Sequence, residues 1–248
     1  MTFLPFKHFC AGLIFAGERR GPTIGRKHLR FASFSTIDEI QKHFGVDQLL
    51  IEQVQPSYNV APTQQIAVVI QDDEQRVLEM MHWGLVPFWA KDPSIGSRMI
   101  NARSETVAEK PSFKAAFWKR RCLVVNDGFF EWTGPKGNRQ PVFIKPDGER
   151  GPFAFAGLWE IWRRKEKPDA PALKSCTILT TDASESIRQI HHRMPMMLKP
   201  KAYSLWLDPT TDLQQLEVYH DFKTVPVSQA VNAPENNDPS IFGPLFDR

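Results

Sequence analysis

The sequence predicts an α+β fold: a single domain around a curved, mainly antiparallel β-sheet with peripheral helices. Many short apolar runs read as strands, only a few segments carry a helical period, and the two do not alternate as a doubly wound parallel sheet requires. No internal repeat is visible, and no linker divides residues 30–232.

In chain order, residues 1–29 are basic, contain glycines and lack periodicity, so they are expected to be a poorly ordered leader. The domain is expected over 30–235 and a C-terminal tail over 236–248. "STIDEIQKHFG" predicts a short helix: Thr36 and Glu39 form a capping box, Ile37, Ile40 and Phe44 share a face, and Gly45 stops it. "QIAVVIQ" (65–71) is a strand, "DDEQ" a turn, and residues 76–89 a returning strand. A helix is expected over Ser112 to Arg120. "RCLVVNDGFFEW" (121–132) reads as strand, tight Asp127-Gly128 turn, strand. Further strands are expected at "PVFIK", residues 153–162 and residues 175–181, with a short helix over Ser184 to Ile190. "PKAYSLWLD" and "TTDLQQLEVY" are helix candidates, and "VPVSQAVN" is the last strand.

Apolar residues make up 42% of the 248 and charged residues 24%, ordinary for a globular protein. The net charge of +3 excludes a polycation, so nucleic acid would need a local basic patch. Cys10, Cys122 and Cys176 are widely spaced and form no CxxC pair, which speaks against a disulfide framework or a cysteine-rich zinc site. A reduced, intracellular setting fits this usage. No run reaches the ~18 apolar residues that span a membrane. "FCAGLIFAG" (9–17) has the pattern of a signal-peptide core, but the remaining sequence reads as intracellular.

Four polar clusters stand out. In "INARSET" (100–106), Asn101 and Arg103 are two apart, so an extended segment puts both on one face, where a guanidinium can fork onto phosphate. A solvated strand edge is the competing reading. In "DGFFEW" (127–132), Glu131 lies between Phe130 and Trp132; loss of hydration there raises a carboxyl's pKa and suits it to proton transfer, whereas simple alternation would leave it in water. "IHHRMP" (190–195) sets His191 beside His192. Adjacent residues on an extended chain point apart and no HExxH motif is present, so acid–base chemistry is favoured over metal binding, and no metal or cofactor is expected. Finally, Arg98, Arg103, Lys110, Lys114, Lys119, Arg120 and Arg121 are interleaved with Trp83, Trp89, Phe113, Phe117 and Trp118. Cations track a phosphate backbone and aromatic faces stack on unpaired bases, although an aromatic core with a solvated fringe gives the same pattern.

Together, "RFASFS" (30–35), "YNVAPTQ" (58–64), "WGLVPFWAKDPSIG" (83–96), "INARSETVAEKPSF" (100–113), "RRCLVVNDGFFEW" (120–132), "FAGLWE" (155–160), "TILTTDAS" (177–184), "IHHRMP" (190–195) and "VSQAVN" (227–232) resemble, in order, the SRAP family, the SOS-response-associated peptidases or abasic-site processing proteins. The resemblance runs from Arg30 to about Asn232. It implies one compact α+β domain, monomeric, acting in the DNA damage response, cytoplasmic in a bacterium or nuclear in a eukaryote. The implied partner is single-stranded DNA and its junctions with duplex, carrying abasic sites. It implies that Arg30, Asn101 and Arg103 hold DNA, that Glu131 and His191 are the catalytic pair, that Arg193 and Pro195 position the histidine, and that His192 is incidental. In the family an N-terminal cysteine captures the abasic aldehyde as a thiazolidine, and the peptidase label refers to removal of the initiator methionine.

One departure matters. The family begins Met-Cys-Gly-Arg-Phe, whereas here Lys27-His28-Leu29 precede Arg30-Phe31. A thiazolidine needs an amine and a thiol on one residue, and His28 offers neither. Three explanations stay open: a start site truly near residue 28, a member that binds DNA without cross-linking, or an imine formed by another amine. A cysteine peptidase using Cys122 or Cys176 with His191 is a further alternative.

Overall fold

The computed structural model describes residues 29–135, 137–167, 169–211 and 216–243. The expected leader therefore lies outside the described residues except for Leu29. The fold is α+β, mainly antiparallel, with its strands divided between two sheets.

Strand β1 (Arg30–Ser33) runs into helix α1 (Ile37–Phe44). Both halves of the Thr36/Glu39 capping box form, Gly45 ends the helix in the left-handed region, and Ile40 and Phe44 are buried. Next come β2 (Gln48–Leu49), β3 (Ser57–Val60), β4 (Gln65–Asp72) and β5 (Gln75–Trp83). The returning strand ends six residues before its expected limit, because Gly84 turns away and donates its N–H to the Cys176 carbonyl (2.9 Å). A 3₁₀ turn (Pro93–Arg98), capped by the Asp92 carboxylate, leads to β6 (Asn101–Arg103). The expected helix over 112–120 contracts to α2 (Lys114–Phe117), with Phe113 and Phe117 buried.

The expected hairpin at Asp127-Gly128 is absent. β7 (Arg121–Asn126) and β8 (Gly128–Thr133) are strands, but they belong to different sheets. Long-range bonds take the place of a hairpin turn. The Asp127 carboxylate accepts from the backbone N–H of Phe34 (2.6 Å) and Ser35 (3.0 Å) and from the Ser35 hydroxyl. Gly128 has φ 139°, and an added Cβ would lie 2.5 Å from the Phe143 ring and 2.7 Å from the Ile144 carbonyl oxygen. The pair thus forms a corner at which the chain changes sheet.

β9 (Gln140–Pro146), β10 (Phe153–Trp162), β11 (Leu173–Asp182), α3 (Glu185–Arg188), β12 (Arg193–Pro195), β13 (Met197–Leu198), α4 (Tyr203–Leu207) and β14 (Phe222–Pro226) complete the chain. Of the helix expected at 210–219, residues 212–215 lie outside the described residues; Val218 instead bridges Leu198 in an antiparallel pair. The last expected strand stops at Pro226, and Gln229–Asn232 turns as a 3₁₀ segment capped by Ser228. Beyond it, Ile241 and Phe242 are buried, with the Phe242 ring 4.8 Å from that of Phe143.

The five-stranded sheet has the order β14-β9-β8-β1-β3, and the nine-stranded sheet follows β12-β11-β10-β7-β4-β5-β2. Parallel pairing of Ser175 with His82 and Cys176 with Trp83 closes β11-β10-β7-β4-β5 into a ring. β6 adds to β11 in parallel at Ile178–Thr180, and β12 pairs with Thr180–Asp182. The main core fills the junction of the two sheets, where Phe31 packs on Trp83 (5.1 Å) and Phe155 (5.7 Å). That junction also holds the candidate site open at its edge.

Candidate functional site

A pocket of about 320 Å³ lies at the seam between the sheets. Leu29, Glu131, Trp132 and Arg139 line it from the five-stranded side. Asn101, Arg103, Thr180, His191 and the run from Arg193 to Pro195 line it from the other. Asn101, Arg103, Glu131 and His191, widely separated in sequence, thus share one cavity.

β8 carries Glu131 between buried Phe130 and buried Trp132. The carboxyl is turned into the seam with only 18% of its side chain exposed. Burial pushes its pKa up from the usual value, and His191 and Arg139 pull the other way. The His191 N–H closes on the Ile187 carbonyl at the end of α3, which sets the ring at the pocket. Its Nδ1 lies 2.7 Å from the Arg193 carbonyl oxygen. A carbonyl only accepts, so Nδ1 carries the proton and Nε2 is the basic nitrogen of the neutral ring. The Arg193 N–H, 3.2 Å from the same Nδ1, is then a contact between two donors. Glu131 Oε1 stands 3.9 Å from Nδ1, too far for a hydrogen bond. The acid and the imidazole are adjacent without consuming each other.

Arg193 is itself immobilised. Its guanidinium donates to Glu105 (2.6 and 3.0 Å), to Asp182 (2.8 Å) and to the Thr180 carbonyl (2.6 Å). Those carboxylates raise the Arg193 pKa, and Arg193 lowers that of Glu105. Asn101 and Arg103 project from β6; the Asn101 amide oxygen is buried without a partner, and no carboxylate pairs with Arg103 among the described residues. His192 stacks on His191 with ring centroids 4.6 Å apart but does not line the pocket.

Arg30 is not brought to the pocket. Its side chain is buried, donating to Asn59 and to the Val231 carbonyl, with Nε unpartnered. Burial draws its pKa down to about 10, partly offset by Glu235. Cys122 and Cys176 are fully buried in the main core and do not line the pocket, and burial pushes both thiols up, so neither offers a thiolate to His191. Cys10 and His28 lie outside the described residues. No cluster of three or more metal-ligating side chains occurs among the described residues, and no described helix is long and apolar enough to cross a membrane.

Sequence reasoning missed Leu29, Thr180 and Arg139. Arg139 sits in the aperiodic loop between β8 and β9 and gave no local signal.

A two-sheet α+β domain thus brings a largely buried carboxyl, an imidazole and, among the described residues, an unpaired guanidinium into one open pocket. The chain belongs to the SRAP family: the family model described as SOS response associated peptidase matches residues 29–234. It is 42% identical over 222 residues to the abasic site processing protein YoqW of Bacillus subtilis, covering 86% of this chain and 97% of that protein. It is 33% identical over 232 residues to the abasic site processing protein HMCES of Xenopus tropicalis, covering 79% of this chain and 68% of that one. Among solved structures, a Bacteroides thetaiotaomicron protein shares the fold with a TM-score of 0.73 at 24% identity, covering 86% of this chain and 98% of that one. A phage-related protein of Bordetella bronchiseptica gives a TM-score of 0.61 at 29% identity, covering 81% and 94%.

Proposed function

We propose that this protein acts on abasic sites in single-stranded DNA. The observation that carries the reading is the convergence of Asn101, Arg103, Glu131 and His191 on one seam pocket, with Glu131 biased towards its protonated form. Arg103 supplies an unpaired fork for a phosphate, and Asn101 an amide for the sugar. A baseless deoxyribose is mostly a closed hemiacetal. Glu131 protonates its ring oxygen as the C1′–O4′ bond breaks, and His191 Nε2 takes the proton of the C1′ hydroxyl. The product is the open aldehyde, with no net gain or loss of atoms. Arg30 enters only as the anchor of β1, one residue from Leu29 in the pocket wall.

Neither lysine nor cysteine lines the pocket among the described residues. A stable thiazolidine would need a cysteine with a free α-amine. The match of the family to residue 29 onwards leaves His28 immediately before the wall residue Leu29, which favours a second reading, a single-strand binder that shields the lesion without capturing it.

The test mixes the protein with a single-stranded oligonucleotide bearing one abasic site and separates the products on a denaturing gel. A band surviving without borohydride is a stable adduct, and a band needing borohydride is an imine. Protection of the site from alkaline scission without any band is shielding alone. If the abasic strand binds no better than an intact strand and stays unchanged, the proposal fails.

A further inference from the structure

Among the described residues three guanidinium groups line the seam pocket, and they are not equivalent. Arg193 is neutralised by Glu105 and Asp182. Arg103 and Arg139 have no hydrogen bond or ion pair through their guanidinium groups among the described residues. These two free cations come from different sheets: Arg103 from β6, which pairs with β11, and Arg139 from the residue before β9. Glu131 and His191 line the same cavity. The Arg139 backbone is tethered, its carbonyl accepting from Gln229 Nε2 at 3.0 Å, while its side chain stays exposed. Among the described residues, this exposed cation on a tethered backbone meets the pocket's carboxyl only through its field and has no hydrogen bond or ion pair of its own.

We infer that Arg139 is a second phosphate-binding residue of the site, paired with Arg103 across the pocket. The inference rests on the DNA reading above and deepens it. A nucleotide within a strand has a phosphate on each side of its sugar. One guanidinium fixes a single phosphate and leaves the sugar free to swing; two, on opposite walls, fix both and hold the sugar over Glu131 and His191. Arg139 thereby sets the register of the strand in the pocket. Its charge also opposes the effect of burial on Glu131, so it joins binding to the proton inventory of the site.

The experiment measures binding to a short single strand containing a stable tetrahydrofuran abasic analogue, with either flanking phosphate replaced by a neutral methylphosphonate. Arg139→Gln is expected to weaken binding about tenfold and to flatten the salt dependence by about 0.7 in log–log slope, the value for one phosphate contact on a single strand. Neutralising one particular flanking phosphate should weaken the wild type similarly and leave Arg139→Gln unaffected; Arg103→Gln should show the same insensitivity to the other phosphate. Arg139→Lys should keep the salt slope while losing part of the affinity. If Arg139→Gln stays sensitive to both neutralised phosphates, or keeps the wild-type salt slope, the clamp is overturned while the DNA reading stands. If the wild type does not bind the strand, the DNA reading falls and takes the clamp with it. A thermal melt of Arg139→Gln at the wild-type temperature shows that the exposed substitution leaves the fold intact.

Discussion

Glu79, which is buried, and Glu131, which is half-buried, each sit next to a basic side chain, and the pairs are built differently. Glu79 on β5 is 6% exposed, and Lys174 Nζ donates to both of its oxygens at 2.7 Å while lying 5.6 Å above the Trp159 ring. Glu131 keeps 3.9 Å from the imidazole nitrogen of His191. At Glu79 both carboxylate oxygens are held by one close cation. At Glu131 the nearest base is a titratable group beyond hydrogen-bonding distance, and burial pushes the carboxyl towards its neutral form. The lesson concerns commitment: an acid locked to its partner holds the fold, and an acid left half-partnered at an open seam can exchange a proton with a ligand.

The sharpest way to break the comparison is Glu131→Gln. If Glu131 is the exchanging acid, processing of the abasic strand should fall by about 100-fold or more, the usual contribution of a positioned acid–base group. Affinity for the tetrahydrofuran strand should hardly move and the melting temperature should not fall, because the amide keeps the shape and removes no close ion pair. Gel kinetics and a thermal melt on the same preparation check both halves. Wild-type turnover in both Glu131→Gln and His191→Ala would leave the pocket as a binding site only.

The converse substitution, Lys174→Met, should spare function and cost stability. It strands a buried carboxylate. Complete loss of a buried partner costs about 3–5 kcal/mol, and the partial exposure of Lys174 reduces that to about 2 kcal/mol. In a domain of this size such a loss lowers the melting temperature by about 4–8 °C. Adding Glu79→Gln should restore part of it by removing the orphaned charge. A calorimetric scan decides the matter; an unchanged melting temperature would mean that the Glu79–Lys174 bond adds little and that the contrast with Glu131 is only geometric.

The same distinction between local and distant partners explains what the sequence made legible. Helix α1 was readable to the residue because its instructions are local: Thr36, Glu39 and Gly45 act within one or two turns. The sheet change at Asp127 was not, because its carboxylate is satisfied by Phe34 and Ser35, over ninety positions away, and nothing near Asp127-Gly128 distinguishes a corner from a hairpin. In the site, Asn101, Arg103, Glu131 and His191 were conspicuous through their apolar or paired surroundings, yet their convergence depends on β6 and β12 both adding to β11. Arg30 shows the limit from the other side. A charged residue opening a strand reads as solvent-facing, and only the arrival of Asn59 and Val231 makes it an interior anchor. Arg139 lies among glycine, asparagine and proline, where an arginine carries no pattern.

The smallest expected effect is also the most direct probe of the proton itself. Burial raises the Glu131 carboxyl above its ordinary value of 4.5, so the native protein holds a proton that the unfolded chain has already released. From that ordinary value up to the raised one, the folded state therefore loses stability as pH increases. Glu131→Gln has no proton to lose. Its stability relative to wild type should be level under more acidic conditions, rise as pH climbs past 4.5, and flatten once native Glu131 has ionised. The rise should stay below the Lys174→Met loss, because His191 and Arg139 favour the carboxylate and act against burial. Urea midpoints across this pH range, compared between wild type and Glu131→Gln, give the sign. A difference that falls with rising pH would mean that the neighbouring charges outweigh burial at Glu131.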